Sequence, residues 1–253
     1  MKASYLRPQW PAAPGVCAAF TLRGGGVSRG RYEGFNLGAH VGDDPDAVAR
    51  NRAELRRALA LPREPLWLEQ VHGTQVIDAA HFACPGPAPR ADAAVSLGIG
   101  AVLAVLVADC LPVLLAARDG TAVAVAHAGW RGLSAGVLEA TIAALGRCGA
   151  LQAWLGPCIG PEHFEVGEEV LEAFTAHEPA AAAAFARNAR GRWQCDLQQL
   201  ARARLDALGI EAVYADRSCS FAEPQRFYSY RRDGATGRMA ALIWRAPRDE
   251  ERT

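Results

Sequence analysis

AVLAVLVADCLPVLLAARDGTAVAVAHAGWRG, residues 101–132, decides the fold. Three apolar runs, Ala101–Ala108, Pro112–Ala117 and Thr121–Ala126, are separated only by short polar breaks. The runs are rich in Val, Leu and Ala, lack polar alternation and end at turn residues. They read as neighbouring strands buried on both faces. Working outward, Ala91–Leu97, Leu66–His72 and Ala18–Leu22 read as strands before this block. Ala153–Leu155, Ala212–Ala215, Phe227–Arg231 and Met239–Trp244 read as strands after it.

Helices are expected at Asp46–Leu59, where Pro45 suits the first turn, and at Leu133–Leu145, closed by Gly146. Val166–His177 and Leu197–Leu208 have amphipathic spacing, and the Ala-rich segment between them reads either as helix or as an excursion. Strands and helices mix without strict βαβ alternation. The expectation is an α/β fold of the α+β type: one layered sandwich of mixed sheets flanked by helices. No linker divides residues 1–253. Residues 1–16 read as an N-terminal extension and residues 246–253 as a charged, frayed tail.

Composition narrows the function classes. Lys+Arg and Asp+Glu are 27 each, so no global field favours nucleic acid. No apolar run approaches the roughly 20 residues that span a bilayer, so no membrane partner is expected. Seven cysteines, spread out and without a CxxC pair, do not form a disulfide framework. The start has no apolar signal core. A reducing cytoplasm is the simplest reading, and oligomeric state is not legible.

Three residues stand where strand-like runs meet a turn: His72 before Gly73, Cys110 after Asp109, and His127 before Ala128-Gly129-Trp130-Arg131-Gly132. Two imidazoles and a thiolate would leave one corner of a zinc tetrahedron open, as a catalytic zinc requires. The separations, 38 and 17 residues, carry no motif specificity. A cysteine ending an apolar run also serves as a small buried hydrophobe. Asp109 and Asp92 are candidates to orient a ligand histidine, or to shuttle protons. Arg131 is a candidate anion contact, because its planar fork suits phosphate. His40 lies in a loop that can border the site. The glycine run Arg23–Gly30 is no phosphate loop, since no Gly-Lys-Ser/Thr ends it.

Together these segments resemble the YfiH family, also called the laccase-domain or polyphenol-oxidase-like family. The resemblance rests on Arg23–Ser28, Phe35-Asn36-Leu37-Gly38, Val41-Gly42-Asp43-Asp44, Gln70-Val71-His72-Gly73, Ala108-Asp109-Cys110-Leu111-Pro112 and His127–Gly132. It extends to Leu155-Gly156-Pro157, Phe164–Gly167 and Phe227–Asp233. Many relatives carry two glycines before Val27-Ser28, and this chain has three. The resemblance implies a zinc, with copper as the alternative, held by His72, Cys110 and His127. It implies phosphorolysis of adenosine, inosine and methylthioadenosine, with phosphate as co-substrate, and deamination of adenosine. Cys110 and Asp109 are then the catalytic candidates. Ser28, Asn36, Arg131 and Arg231 are the candidate substrate contacts. Two rivals accompany this reading: a cysteine hydrolase editing peptidoglycan precursors, with Cys110 as nucleophile, and a single-copper phenol oxidase. A fourth is a zinc-stabilised binding module without enzymatic activity.

Overall fold

The computed structural model describes residues 3–82 and 86–247. Cys84 and all but the first two residues of the expected tail lie outside that range. In chain order the elements are β1 (Tyr5–Leu6), β2 (Val16–Thr21), α1 (Pro45–Leu59), β3 (Val76–Asp78), β4 (Ala93–Ser96), β5 (Val102–Val107), β6 (Leu111–Ala117) and β7 (Val123–Ala128). There follow α2 (Trp130–Ala135), α3 (Val137–Leu145), β8 (Leu151–Leu155), β9 (Glu165–Val166) and α4 (Glu168–Thr175). The chain continues through β10 (Phe185–Arg187), β11 (Trp193–Cys195), α5 (Leu197–Ala207), β12 (Val213–Ala215), α6 (Tyr230–Asp233) and β13 (Met239–Arg245).

The strands form three sheets. One, in the order β1-β2-β13-β5, is antiparallel throughout. The second, β12-β8-β6-β7-β4-β3, is mixed: its outer pairs are parallel and its inner pairs antiparallel. A small antiparallel sheet, β10-β11-β9, stands apart from these two.

Side-chain alternation explains the layering. In β5, Leu103, Val105 and Val107 face a core shared with Leu114, Val125 and Trp154 of the six-stranded sheet. Val102, Ala104 and Leu106 point the other way, toward Leu55 and Leu59 of α1. In β6, Val113 and Leu115 turn from the inter-sheet core toward Leu133 and Leu138 of the helices. The order is therefore helix, sheet, sheet, helices. Both large sheets are covered on both faces, so β5, β6 and β7 are buried at every position. That is why their sequences show no polar alternation.

Four local readings need correction. Leu66–His72 is not a strand beyond isolated bridges at Leu66 and Glu69. Its backbone is served instead by side chains: Gln70 brackets Leu106 with both amide atoms, and Asp92 takes the amides of Val71 and His72. Phe227–Arg231 is not a strand, because Ser229 accepts from the Arg232 amide and caps α6. The helix read over Leu133–Leu145 starts at Trp130 and is interrupted by Gly136, whose φ of 99° ends α2. Within the extension read over residues 1–16, the described part, from residue 3, packs onto the fold: Ala3 is buried, and β1 pairs with Phe20 and Thr21. No helix among the described residues is long and apolar enough to cross a membrane.

Leu114 is fully buried between Val125 and Trp154 in register, at the centre of the inter-sheet core. Leu114→Ala is expected to cost about 3 kcal/mol, read as a lower urea midpoint at unchanged m-value.

Candidate metal centre and cavity

The site forms where strand ends meet. Cys110 ends the three-residue turn from β5 to β6, His127 is the penultimate residue of β7, and His72 ends the side-chain-bridged segment. The turn is tight, with Asp109 at a φ of 98°. His72 is also left-handed, at 58°. Positive φ is costly for residues with a Cβ. Here one such residue belongs to the metal-competent group and the other directly precedes Cys110. One donor atom from each of His72, Cys110 and His127 lies within 4.8 Å of the others.

Asp92, fully buried, organises the group. Its Oδ1 accepts from the His72 amide at 2.9 Å, and its Oδ2 accepts from the Val71 and Gly73 amides at 3.1 and 2.7 Å. The same Oδ1 lies 2.8 Å from His127 Nδ1, and the Asp92 carbonyl accepts the His127 amide at 2.7 Å. The contact at Nδ1 leaves His127 Nε2 for the centre. Burial alone would raise the pKa of Asp92. The His127 bond and the backbone amides outweigh it and hold the carboxyl below its ordinary value.

Cys110 Sγ lies 3.9 Å from His72 Nε2. Burial alone would raise the thiol. The His127 charge and hydrogen bonds with both imidazoles bring it down to about 6. Burial alone would lower His127, and the Cys110 thiolate and Asp92 push it up to about 9. Each of the two groups thus favours the charged form of the other in a confined space. Sulfur and two imidazoles are the donor set of zinc and, secondarily, of copper. Ligand atoms around a tetrahedral zinc stand about 3.6 Å apart, so this group, spread over up to 4.8 Å, fits after a contraction of about an ångström. Gly129 makes room for it: a Cβ there would lie 2.9 Å from Cys110 Sγ and 3.0 Å from His72 Cδ2.

The three donors open onto a cavity of about 430 Å³. Arg131, Arg231, Arg238 and His40 supply its polar wall, and Trp130, Phe164 and Tyr230 its aromatic one. Arg131 stacks on Trp130, with the guanidinium carbon 4.4 Å from the ring centre. Arg231 lies over Phe164, and its Nη1 donates to the Glu165 carbonyl at 2.8 Å. Asp109 accepts from the Ser220 hydroxyl at 2.6 Å and from the Arg231 amide at 2.7 Å, so it seats Arg231 at the wall.

Ser28 and Asn36, expected to touch substrate, do not line the cavity. Both are buried, and both donate to Asp43 Oδ2, at 2.6 and 2.8 Å. Their motif builds a loop scaffold behind the wall. Arg238 escaped the sequence reading, because a lone arginine before an apolar strand carries no signal.

Residues 17–246 match the family described as multi-copper polyphenol oxidoreductase laccase. The Escherichia coli purine nucleoside phosphorylase YfiH is 50% identical over 242 residues, covering 94% of this chain and 97% of that protein. The Pseudomonas aeruginosa purine nucleoside phosphorylase is 50% identical, covering 95% and 98%. A Neisseria meningitidis crystal structure of the DUF152 family is 47% identical with a TM-score of 0.91, covering 96% of this chain and all of that one. YlmD from Geobacillus stearothermophilus is 30% identical with a TM-score of 0.86, covering 96% and 97%.

Asp92→Asn exchanges an acceptor for a donor amid four N–H groups. It is expected to lower zinc affinity roughly 10- to 100-fold in competition titrations, and to destabilise the fold by about 3 kcal/mol. A carboxyl with a depressed folded pKa stabilises above its unfolded value of about 4, and that contribution is lost as pH falls through the folded value. The acid limb of the stability curve is therefore shallower in the variant than in wild type. Gly129→Ala forces Sγ and the His72 ring apart. It is expected to weaken zinc binding at least about tenfold, with a melting temperature within a few degrees of wild type.

Proposed function

The chain belongs to the YfiH family, and on that premise we propose that it is a zinc-dependent purine nucleoside phosphorylase. The carrying observation is the His72, Cys110 and His127 group, which opens on one side to a cavity walled by arginines and aromatic rings. The cavity volume lies in the range of small-molecule sites. A bound zinc supplies Lewis acidity at the cavity floor. Trp130, Phe164 and Tyr230 offer apolar faces to a purine. Arg131 and Arg231, at the rim, draw in phosphate. A phosphate oxygen then forms a bond to ribose C1. The bond from C1 to the purine nitrogen breaks, and its electron pair leaves with the base, which takes up a proton. Holding both reactants in one cavity supplies the orientation.

Adenosine, inosine and methylthioadenosine share the purine and the furanose, and all three are proposed substrates. Deamination of adenosine is proposed for the same cavity, with water adding at purine C6 and ammonia leaving. The free cysteines among the described residues suit a cytoplasmic protein.

One observation favours a second reading. A Cys110 thiol brought down to about 6 beside His127 is also the pair of a cysteine hydrolase, which would act on peptidoglycan precursors. Multi-copper chemistry is disfavoured by the donor count. Of six histidines in the chain, only His72 and His127 join a metal-competent group among the described residues.

Elemental analysis of wild type and His72→Ala, paired with adenosine turnover with and without phosphate, tests the proposal. The expected result is about one zinc per chain in wild type, as three protein ligands per site require, lost with activity in the variant. Adenine released only with phosphate means phosphorolysis, and inosine without phosphate means deamination. Copper in place of zinc would revive the oxidase. Full activity in metal-free protein, abolished by Cys110→Ser, would establish the hydrolase and end the metal reading.

A further inference from the structure

Arg238 stands immediately before β13, on the wall of the cavity that Asp109 and Cys110 also line. It differs from the other two arginines of the cavity. Arg131 and Arg231 are exposed to solvent, while Arg238 is largely withdrawn from it. Arg238 takes part in none of the ion pairs among the described residues. Burial pushes its pKa down, against the opposing pull of Cys110 and Asp109. A guanidinium stays charged regardless. A cation removed from water without a paired carboxylate gains more from an arriving anion than a solvated one does.

The fold holds this arginine in place. Its amide donates to Asn36 Oδ1 at 2.9 Å, and its carbonyl accepts from the Leu37 amide at 3.2 Å. Nη1 donates to the carbonyls of Thr236 and Gly237, at 2.8 and 3.0 Å. The side chain passes over Gly38, where a Cβ would lie 2.8 Å from Arg238 Cγ. Behind Asn36, Asp43, Ser28 and Asn51 close a hydrogen-bond network, anchored on α1 through Asn51. Phe35-Asn36-Leu37-Gly38 is thus a cradle for one arginine. His40 follows two residues later on the same wall. Partial burial and the charges of Arg238 and Arg52 keep its pKa low, so the neutral ring brings one N–H donor.

We propose that Arg238, seated by Asn36 and flanked by His40, is the residue that binds the phosphate co-substrate, with Arg131 and Arg231 serving at the rim. This rests on the phosphorolytic reading. An inorganic phosphate dianion fits the wall because it accepts bidentately from a guanidinium and singly from an imidazole.

Kinetics on zinc-loaded protein and melting in phosphate without nucleoside together test it. Arg238→Met is expected to raise the KM for phosphate about 30-fold, the scale of a lost charge-assisted bond. The KM for adenosine and the zinc content should stay within about twofold, because the contact is to phosphate alone. Arg238→Lys should recover part of the loss, since it keeps the charge without the fork. Arg131→Met, at a solvated position, should raise the phosphate KM less than about fivefold. Phosphate should raise the melting temperature of wild type by mass action, and this rise should vanish in Arg238→Met. A phosphate KM in Arg238→Met within about threefold of wild type, or a rise in the adenosine KM instead, overturns the assignment. Should Arg238→Met fail to fold, an unchanged phosphate KM in Arg238→Lys overturns it equally. Turnover in wild type that ignores phosphate sinks the phosphorolytic reading. The anion site is then decided by melting alone: a rise lost in Arg238→Lys or Arg238→Met keeps it, and no rise in wild type ends it.

Discussion

One buried carboxylate holds the site together. Asp92 accepts three successive backbone amides, Val71 to Gly73, and the imidazole of His127. Removing a carboxylate from water costs several kcal/mol unless its lone pairs are filled, and here four N–H groups fill them. The three amides can converge only if the chain curls around the carboxylate, and His72 takes its left-handed conformation in doing so. The imidazole contact then fixes which His127 nitrogen faces Cys110. A single interaction therefore sets the backbone of one proposed ligand and the ring orientation of another.

The sandwich supplies the frame for that interaction. Two sheets covered on both faces leave their strand ends as the places where polar groups can gather. Cys110 and His127 occupy neighbouring ends because β6 and β7 are hydrogen-bonded, with Leu111 opposite Ala128 and Pro112 opposite His127. Gly129 lacks the Cβ that would push sulfur and imidazole apart. Asp109 extends the arrangement outward, joining the turn to Ser220 and to α6. The metal-competent floor and the arginine wall are thus parts of one hydrogen-bonded assembly.

The cavity lining carries both signs of charge. Cys110 and His127 each favour the charged form of the other. On the wall, cations predominate. Arg131 and Arg231 rest on aromatic faces in contact with water, and Arg238 is less exposed and joins no ion pair among the described residues.

The strands of the core are legible in the amino-acid order alone, because residues buried on both faces leave uninterrupted apolar runs, as in Ala101–Ala108. The sequence also located His72, Cys110 and His127, since a metal-competent side chain at the end of an apolar run is a local feature. It named Asp92 beside Asp109 without separating their roles. Tertiary structure separated them, because hydrogen-bond partners 19 to 21 residues away in sequence leave no local trace. It also broke the helix at Gly136 and turned Phe227–Arg231 into a capped helix, where serine capping overrode an aromatic, strand-like pattern. It moved Ser28 and Asn36 from the cavity to the scaffold behind it. Arg238 became visible only in three dimensions: its significance is partial desolvation without an ion pair among the described residues, a property of its surroundings that residue type and spacing do not encode.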